Sequence, residues 1–327
     1  MPAIVDSYIY EGKVPELHHY TTWDGLHGII SSRSLWATDY RYLNDSTEVS
    51  HFKSYFQRSL LNHLKSCLDT LSSQSEQKRR QINQHGGSIL LAANLASEYS
   101  DLLFDPRGGG VRGVSSDPTP YICCFCSHRG DNFYEQKNGL LSQWRGYGGH
   151  ESFCIVFDTQ GLQEFIEQEA KSYPCHIFLT EVVYDDGYNE FQDFFGPAVR
   201  QLGDFMIDSL TQKGKRDYRR LAEILRLIQA GAIRFKHCAF YEEREVRIAY
   251  FRNISPPKEP KLVKSRGSNA IEYVSLFDNF ASKPLPIRRV IVGPHRYQKG
   301  LVVKARGLLG DNIEITSSET PYIAPSA

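Results

Sequence analysis

The chain has 327 residues, 41% of them hydrophobic, and its 38 basic and 38 acidic side chains cancel to zero net charge. That is enough apolar material for one large domain or two smaller ones with proper cores, which excludes disorder over most of the length. The balanced charge excludes a global field that would draw the chain to nucleic acid or anionic lipid, while leaving room for local patches.

In chain order, LHHYTTWDGLHGIISSRSLWATDY predicts a strand around Leu17 to Tyr20 and a short helix with Trp23, Leu26, Ile29 and Ile30 on one face. Thr21 or Thr22 would cap that helix, and an extended piece follows at Leu35 to Thr38. From Val49, the apolar positions Phe52, Tyr55, Phe56, Leu60, Leu64, Cys67, Leu68 and Leu71 recur at three and four, the signature of a long amphipathic helix. A second helix is expected over about 75–104, then a Gly/Pro/Ser-rich flexible loop over about 104–120. The Gly108 to Gly110 run in that loop lacks the leading strand and closing lysine of a phosphate loop. Strands are expected at 121–128 and 152–158, a helix at 159–171, a strand near 177–184 and a helical stretch over about 190–236.

AFYEEREVRIAY at 239–250 predicts a half-buried strand, because alternation sets Glu243, Glu245 and Arg247 on one face and Val246, Ile248 and Tyr250 on the other. At the end of the chain, LPIRRVIVGP, YQKGLVVKARGLLG and NIEITSS predict strand, helix and strand. The whole pattern is α+β rather than doubly wound: a single domain over 1–327, with a mixed sheet core and helical insertions at about 49–104 and 190–236.

The amino-terminal MPAIVDSYIYEGKVPE lacks the basic start and apolar stretch of a signal peptide. The most apolar run elsewhere, SILLAANLA at 88–96, is about half the length needed to cross a bilayer. Seven cysteines without regular spacing, Cys67, Cys123, Cys124, Cys126, Cys154, Cys175 and Cys238, read as reduced thiols. A cytoplasmic protein with no membrane segment is expected.

Four stretches carry candidate chemistry. LNDSTEV at 43–49 places Asn44, Asp45 and Glu48 ahead of the long helix, as a capping box or as part of a ligand pocket. CCFCSH sets Cys124, Cys126 and His128 on one strand face, but the other half of a zinc site is missing, so a buried strand and no metal is the expectation. LSQWRGYGGHESFCIVFD places Trp144, Arg145 and Tyr147 among glycines, suited to stacking on a flat ring or to folding onto the core. KGKRDYRR at 213–220 is a solvated helix face or a set of phosphate contacts.

Taken together, HHYTT, LWATDYRYLNDSTEV, ICCFCSH, QWRGYGGHESFCIVFD and KHCAFYEEREVRIAY resemble the bacterial family called domain of unknown function 2971. Cys126 between Phe125 and Ser127 departs by one residue from its Cys-Phe-Ser motif. The motif order is in turn similar to that of ADP-ribosyltransferases. That resemblance implies an ADP-ribosyltransferase-like fold, NAD as co-substrate and Glu245 as the catalytic carboxylate steadying an oxocarbenium-like ribose. It further implies that Glu243 orients the nucleophile, and that His19, Tyr20 and Thr21 lie on the nicotinamide side of NAD. Asn44, Ser127 and Trp144 would support the pocket, Tyr147 would stack on nicotinamide, and Arg247 would hold pyrophosphate. A toxin or phage-defence effector acting on nucleic acid or protein, with an antitoxin or sensor partner, would follow.

Two other readings stand beside it. One is a magnesium-dependent nuclease in which Asp45 or Glu48 joins Glu243 and Glu245, with Arg247 where a catalytic lysine is expected. The other is a non-catalytic sensor or interaction module in which these charges pair to fix the sheet.

Overall fold

The computed structural model describes residues 14–42, 47–104, 120–128, 130–147, 151–185, 187–211, 218–252, 261–266, 270–280 and 283–322, without the side chains of 41, 47–49, 218, 219 and 266. In chain order the elements are β1 (Glu16–Thr22), α1 (Trp23–Ser32), β2 (Leu35–Asp39), α2 (Thr47–Gln74), α3 (Glu76–Gln84), α4 (Gly87–Phe104), β3 (Pro120–Cys126), α5 (Phe133–Asn138), α6 (Leu141–Tyr147), β4 (Ser152–Asp158) and α7 (Thr159–Ser172). They continue with β5 (Cys175–Glu181), β6 (Val183–Asp185), α8 (Tyr188–Thr211), α9 (Tyr218–Ala232), β7 (Phe235–His237), β8 (Glu245–Arg252), β9 (Lys264–Arg266), β10 (Ile271–Leu276), β11 (Ile287–Val292), α10 (Gln298–Leu309) and β12 (Glu314–Ser317). The fold is mixed α+β. Its described residues divide into two compact units, one drawn from those within 41–120 and 183–238, the other from those within 14–40, 121–182 and 239–322.

The first unit is mostly helical and joins the two stretches read from sequence as insertions. Phe52 on α2 is the hub of its core: its ring meets those of Phe104, Phe191, Phe195 and Phe235 at centroid distances of 5.2 to 5.8 Å, all edge-on. The single helix expected over about 75–104 is two helices. Gly86 and Gly87, at φ +84° and +89°, take the backbone out of the helical region between α3 and α4. The stretch expected as helix over 190–236 likewise contains α8 and α9 and ends in β7, which pairs in parallel with β6.

The second unit is built on a ten-stranded sheet ordered β12-β11-β4-β1-β3-β2-β10-β9, with β8 attached to β3 and carrying β5. β11 and β12 are parallel and are linked through α10, whereas β1/β4, β4/β11 and β5/β8 are antiparallel. Alternation sends Leu17, Phe125, Ile155, Val246, Ile248 and Val290 into the main core, covered by Leu26 of α1, Phe165 of α7 and Leu301 of α10. The intervening residues Tyr20, Cys126, Cys154, Val156 and Ile291 form a smaller cluster on the opposite face, under Trp144 of α6. Gly139 makes that cover possible. It sits at φ +76°, and a Cβ there would lie 2.7 Å from Trp144 Cζ2 and 2.8 Å from the Tyr20 hydroxyl.

The strand expected at 239–250 is corrected in two respects. Glu243 is not on the strand: Cys238–Glu243 form a 3-10 turn, and Arg244 at φ +41° separates it from β8. Nor does β8 have a wet face, since seven of its eight residues are buried, Glu245 and Arg247 at 5% and 1% exposure. The loop expected over 104–120 falls almost wholly outside the described residues, as do Asn44 and Asp45. So do the side chain of Glu48 and most of the basic run at 213–220.

Candidate functional site

The strand register builds the site. His18 on β1 is opposite Val156 of β4, and Val156 is opposite Arg289 of β11; on its other edge His18 is opposite Cys126 of β3. Two residues beyond Cys126, His128 lays its ring on that of His18, with centroids 3.5 Å apart and planes inclined by 18°. A bulge between Ile287 and Arg289 lets Arg288 and Arg289 both reach Glu16 at the start of β1. Arg289 holds that carboxylate with two nitrogens at 2.6 and 2.7 Å, and Arg288 Nη1 approaches it at 3.3 Å while also binding Asp158.

A cleft of about 520 Å³ opens over this arrangement. Glu16, His18, His128, Arg288 and Arg289 lie along it with Phe133, Gln136 and Lys137 from α5 and Glu314 and Thr316 from β12. Its volume suits a small molecule. Phe133 is 77% exposed, so one wall offers a bare aromatic face.

The electrostatics of the floor are unusual. Burial, reinforced by Arg289, pushes His18 down to about 3, against the opposing pull of a backbone hydrogen bond at Cys126. Burial, then the neighbouring His18 and Arg244, pushes His128 down to about 2. Both rings are therefore neutral near pH 7. Burial raises Glu16, but the hydrogen bonds and charges of Arg289 and Arg288 outweigh it and leave the carboxyl below its ordinary value.

Tyr20 anchors one side of the pair. Its hydroxyl accepts from the Leu140 amide at 2.7 Å and lies 2.9 Å from His128 Nε2, an arrangement that suits donation to that nitrogen and leaves the His128 proton on Nδ1. His128 Nδ1 and both nitrogens of His18 are buried, and the backbone contacts these rings make, to Glu135 and Cys126 respectively, fall short of good hydrogen-bond geometry. An unsatisfied buried polar group costs about 1–3 kcal/mol, so poorly satisfied ring nitrogens on the floor of a cleft favour a polar group seated there.

The residues singled out from sequence do not gather in one place. Glu245 and Arg247 pair with each other, Arg247 Nε at 2.7 Å and Nη2 at 3.0 Å from the two carboxylate oxygens, and Glu245 acts on the Cys124 thiol. Ser127 clasps the entry to β8: its amide and hydroxyl both donate to the Arg244 carbonyl, at 2.9 and 2.8 Å, and Arg244 Nε donates back to the Ser127 carbonyl at 2.8 Å. Tyr20 meets Trp144 edge-on at 4.7 Å, and Trp144, at 2% exposure, donates to the Asn138 carbonyl and belongs to the core. Tyr147, at the end of the same helix, is exposed.

His19 points the other way from Tyr20. It shares a face with Leu17, approaches Phe125 and has its Nδ1 2.9 Å from the Cys124 carbonyl. Thr21 shares that face by alternation and is half-buried. The cleft residues missed from sequence were His18, the neighbour of the histidine chosen, and the Arg288-Arg289 pair opening an otherwise apolar strand.

Residues 143–248 match the family model described as Protein of unknown function (DUF2971). The match covers less than half of the chain; it includes Trp144, Tyr147 and the Glu245–Arg247 pair, and excludes the HHYTT, LWATD and ICCFCSH motifs. No curated protein matches the chain, and no solved structure does. Among the described residues no helix is long and apolar enough to cross a membrane.

Proposed function

We propose that the chain binds a small polar ligand of about nucleotide size in the cleft above His18 and His128, and that these two neutral rings recognise it by hydrogen bonding. The observation that carries this reading is the stacked pair of buried, neutral rings on the floor of the cleft, whose backbone contacts, to Cys126 and Glu135, fall short of good hydrogen-bond geometry. A neutral imidazole donates from one nitrogen and accepts at the other, so a stacked pair reads an edge that carries both kinds of group, such as a carboxamide or a heterocycle. Arg288, Arg289 and Lys137 along the walls are each engaged by a carboxylate, Asp158, Glu16 and Glu319, so an anionic part of a ligand would have to share or displace one of these pairs. Phe133 is placed to cover a planar ring.

A second reading is transfer of ADP-ribose from NAD with Glu245 at the sugar. It is supported by the strand alternation, which sets Glu245 and Cys124 on the same side of the sheet as Cys126 and His18. It requires Arg247 to release the carboxylate it now holds.

One calorimetric series tests the cleft. NAD, ADP-ribose, nicotinamide and inorganic phosphate are titrated into the wild type, His18→Ala and Phe133→Ala, with free nicotinamide measured after incubation with NAD. Saturable binding of at least one probe, weakened about tenfold or more in either variant, is the expected result; tenfold is about 1.4 kcal/mol. Binding of none, or binding unchanged in both variants, overturns the proposal. Nicotinamide release abolished by Glu245→Gln in a folded protein would extend it to the second reading.

A further inference from the structure

In the helical unit, three metal-ligating side chains meet where α2 packs on α8. His63 and Cys67 are one turn apart on the same face of α2, and Asp204 projects from α8. Gly203 lets the two helices bring them together: a Cβ there would lie 2.5 Å from His63 Cδ2, so the imidazole lies directly against the α8 backbone. Its Nε2 is then 2.7 Å from Asp204 Oδ1 and 3.6 Å from Cys67 Sγ, and the three donor atoms all fall within 4.8 Å of one another.

One imidazole nitrogen serves one hydrogen-bond partner, as donor or as acceptor. Nε2 here has two claimants, a carboxylate and a thiol. A cation among the three atoms engages all of them at once. We propose that His63, Cys67 and Asp204 form a binding site for a zinc-class divalent ion, with the remaining coordination position open to water.

The ligand chemistry selects the metal. A thiolate, an imidazole and a carboxylate suit zinc, whereas magnesium and calcium take oxygen donors. With zinc–sulfur and zinc–nitrogen bonds of about 2.3 and 2.0–2.1 Å at a tetrahedral angle, sulfur and nitrogen stand about 3.6 Å apart, the separation already present. Only the carboxylate has to move, opening from hydrogen-bonding distance by roughly half an ångström. Its side chain is 56% exposed and free to do so, and the same exposure gives an ion its way in. A metal-bound sulfur is a thiolate, so binding releases the Cys67 proton to solvent as the sulfur–metal bond forms.

The test uses the full chain, stripped with a chelator and titrated with cobalt(II) as a spectroscopic stand-in for zinc. One ion per chain should bind, with a near-ultraviolet thiolate-to-cobalt band that zinc bleaches. Cys67→Ser should abolish that band, and Asp204→Asn, a change at an exposed position, should weaken binding about tenfold or more. Zinc should raise the melting temperature of the wild type and not that of Asp204→Asn. Absence of the band, or its persistence in Cys67→Ser, overturns the site and leaves the His63–Asp204 contact as a simple hydrogen bond between helices.

Discussion

At the scale of single residues, the account turns on groups held in the protonation state that folding dictates. His18 and His128 are neutral in the folded protein down to about pH 3 and 2, whereas in the unfolded chain both accept a proton near 6.5. Between those values the unfolded state binds more protons, so stability is complete above about pH 6.5 and falls as the pH drops toward 3. Glu16, depressed by its arginines, contributes with the same sign: its share is present above its ordinary value and is lost as the pH falls through the depressed one. Urea denaturation at stepped pH checks this, and His18→Phe, which cannot protonate, should flatten the slope below pH 6.5. Glu245 makes the opposite kind of case. Glu245→Gln removes the carboxylate that buried Arg247 grips at two points and should cost about 3–5 kcal/mol, while Glu245→Gln with Arg247→Met should recover most of it. Denaturant midpoints of the three proteins separate a structural ion pair from a carboxylate kept under strain for catalysis.

At the scale of elements, the sequence was legible wherever one face of a segment met one core. β1, α1, β4, α7, β11, α10 and β12 all stand where their periodicity puts them, and Thr22 caps α1 as its position suggests, accepting from the Gly25 amide. What could not be read were breaks set by backbone conformation or by a change of partner. Arg244 at φ +41° carries no turn signal of the glycine kind, and the left-handed residue is held there by the Ser127 clasp. The apolar run near 177–184 reads as one strand, yet the Val182 amide bonds to the Glu245 carbonyl and the Val183 amide to the Arg234 carbonyl, which splits it between two sheets. In LHHYTT two adjacent histidines take opposite faces, and nothing local tells which face has the cleft, so the sequence pointed to His19 where the structure puts His18. A prediction at this scale concerns Gly139→Ala. A side chain there is disfavoured at φ +76° and strikes both Trp144 and Tyr20, so it should destabilise by about 1–3 kcal/mol and disturb His128 through the Tyr20 hydroxyl. Thermal melts and tryptophan fluorescence read both effects.

At the scale of the whole molecule, two cores share one chain. The helical unit is assembled from two stretches distant in sequence, which periodicity detects as helices but cannot assign to a common core. Every residue along the cleft belongs to the sheet unit. Phe52→Ala should therefore cost about 3–5 kcal/mol and speed hydrogen exchange in α2, α4 and α8, while leaving ligand binding at the cleft unchanged. The most direct test of the central claim, that the His18–His128 floor receives a polar ligand, is a nitrogen spectrum of the protein carrying 15N-histidine, recorded at pH 7 with and without the tightest-binding probe. The account predicts neutral-tautomer signals for both residues that shift saturably with the probe, while those of His51 and His63 stay in place. Signals of a charged imidazolium in the free protein, or no shift at a probe concentration that calorimetry shows to be saturating, would contradict it.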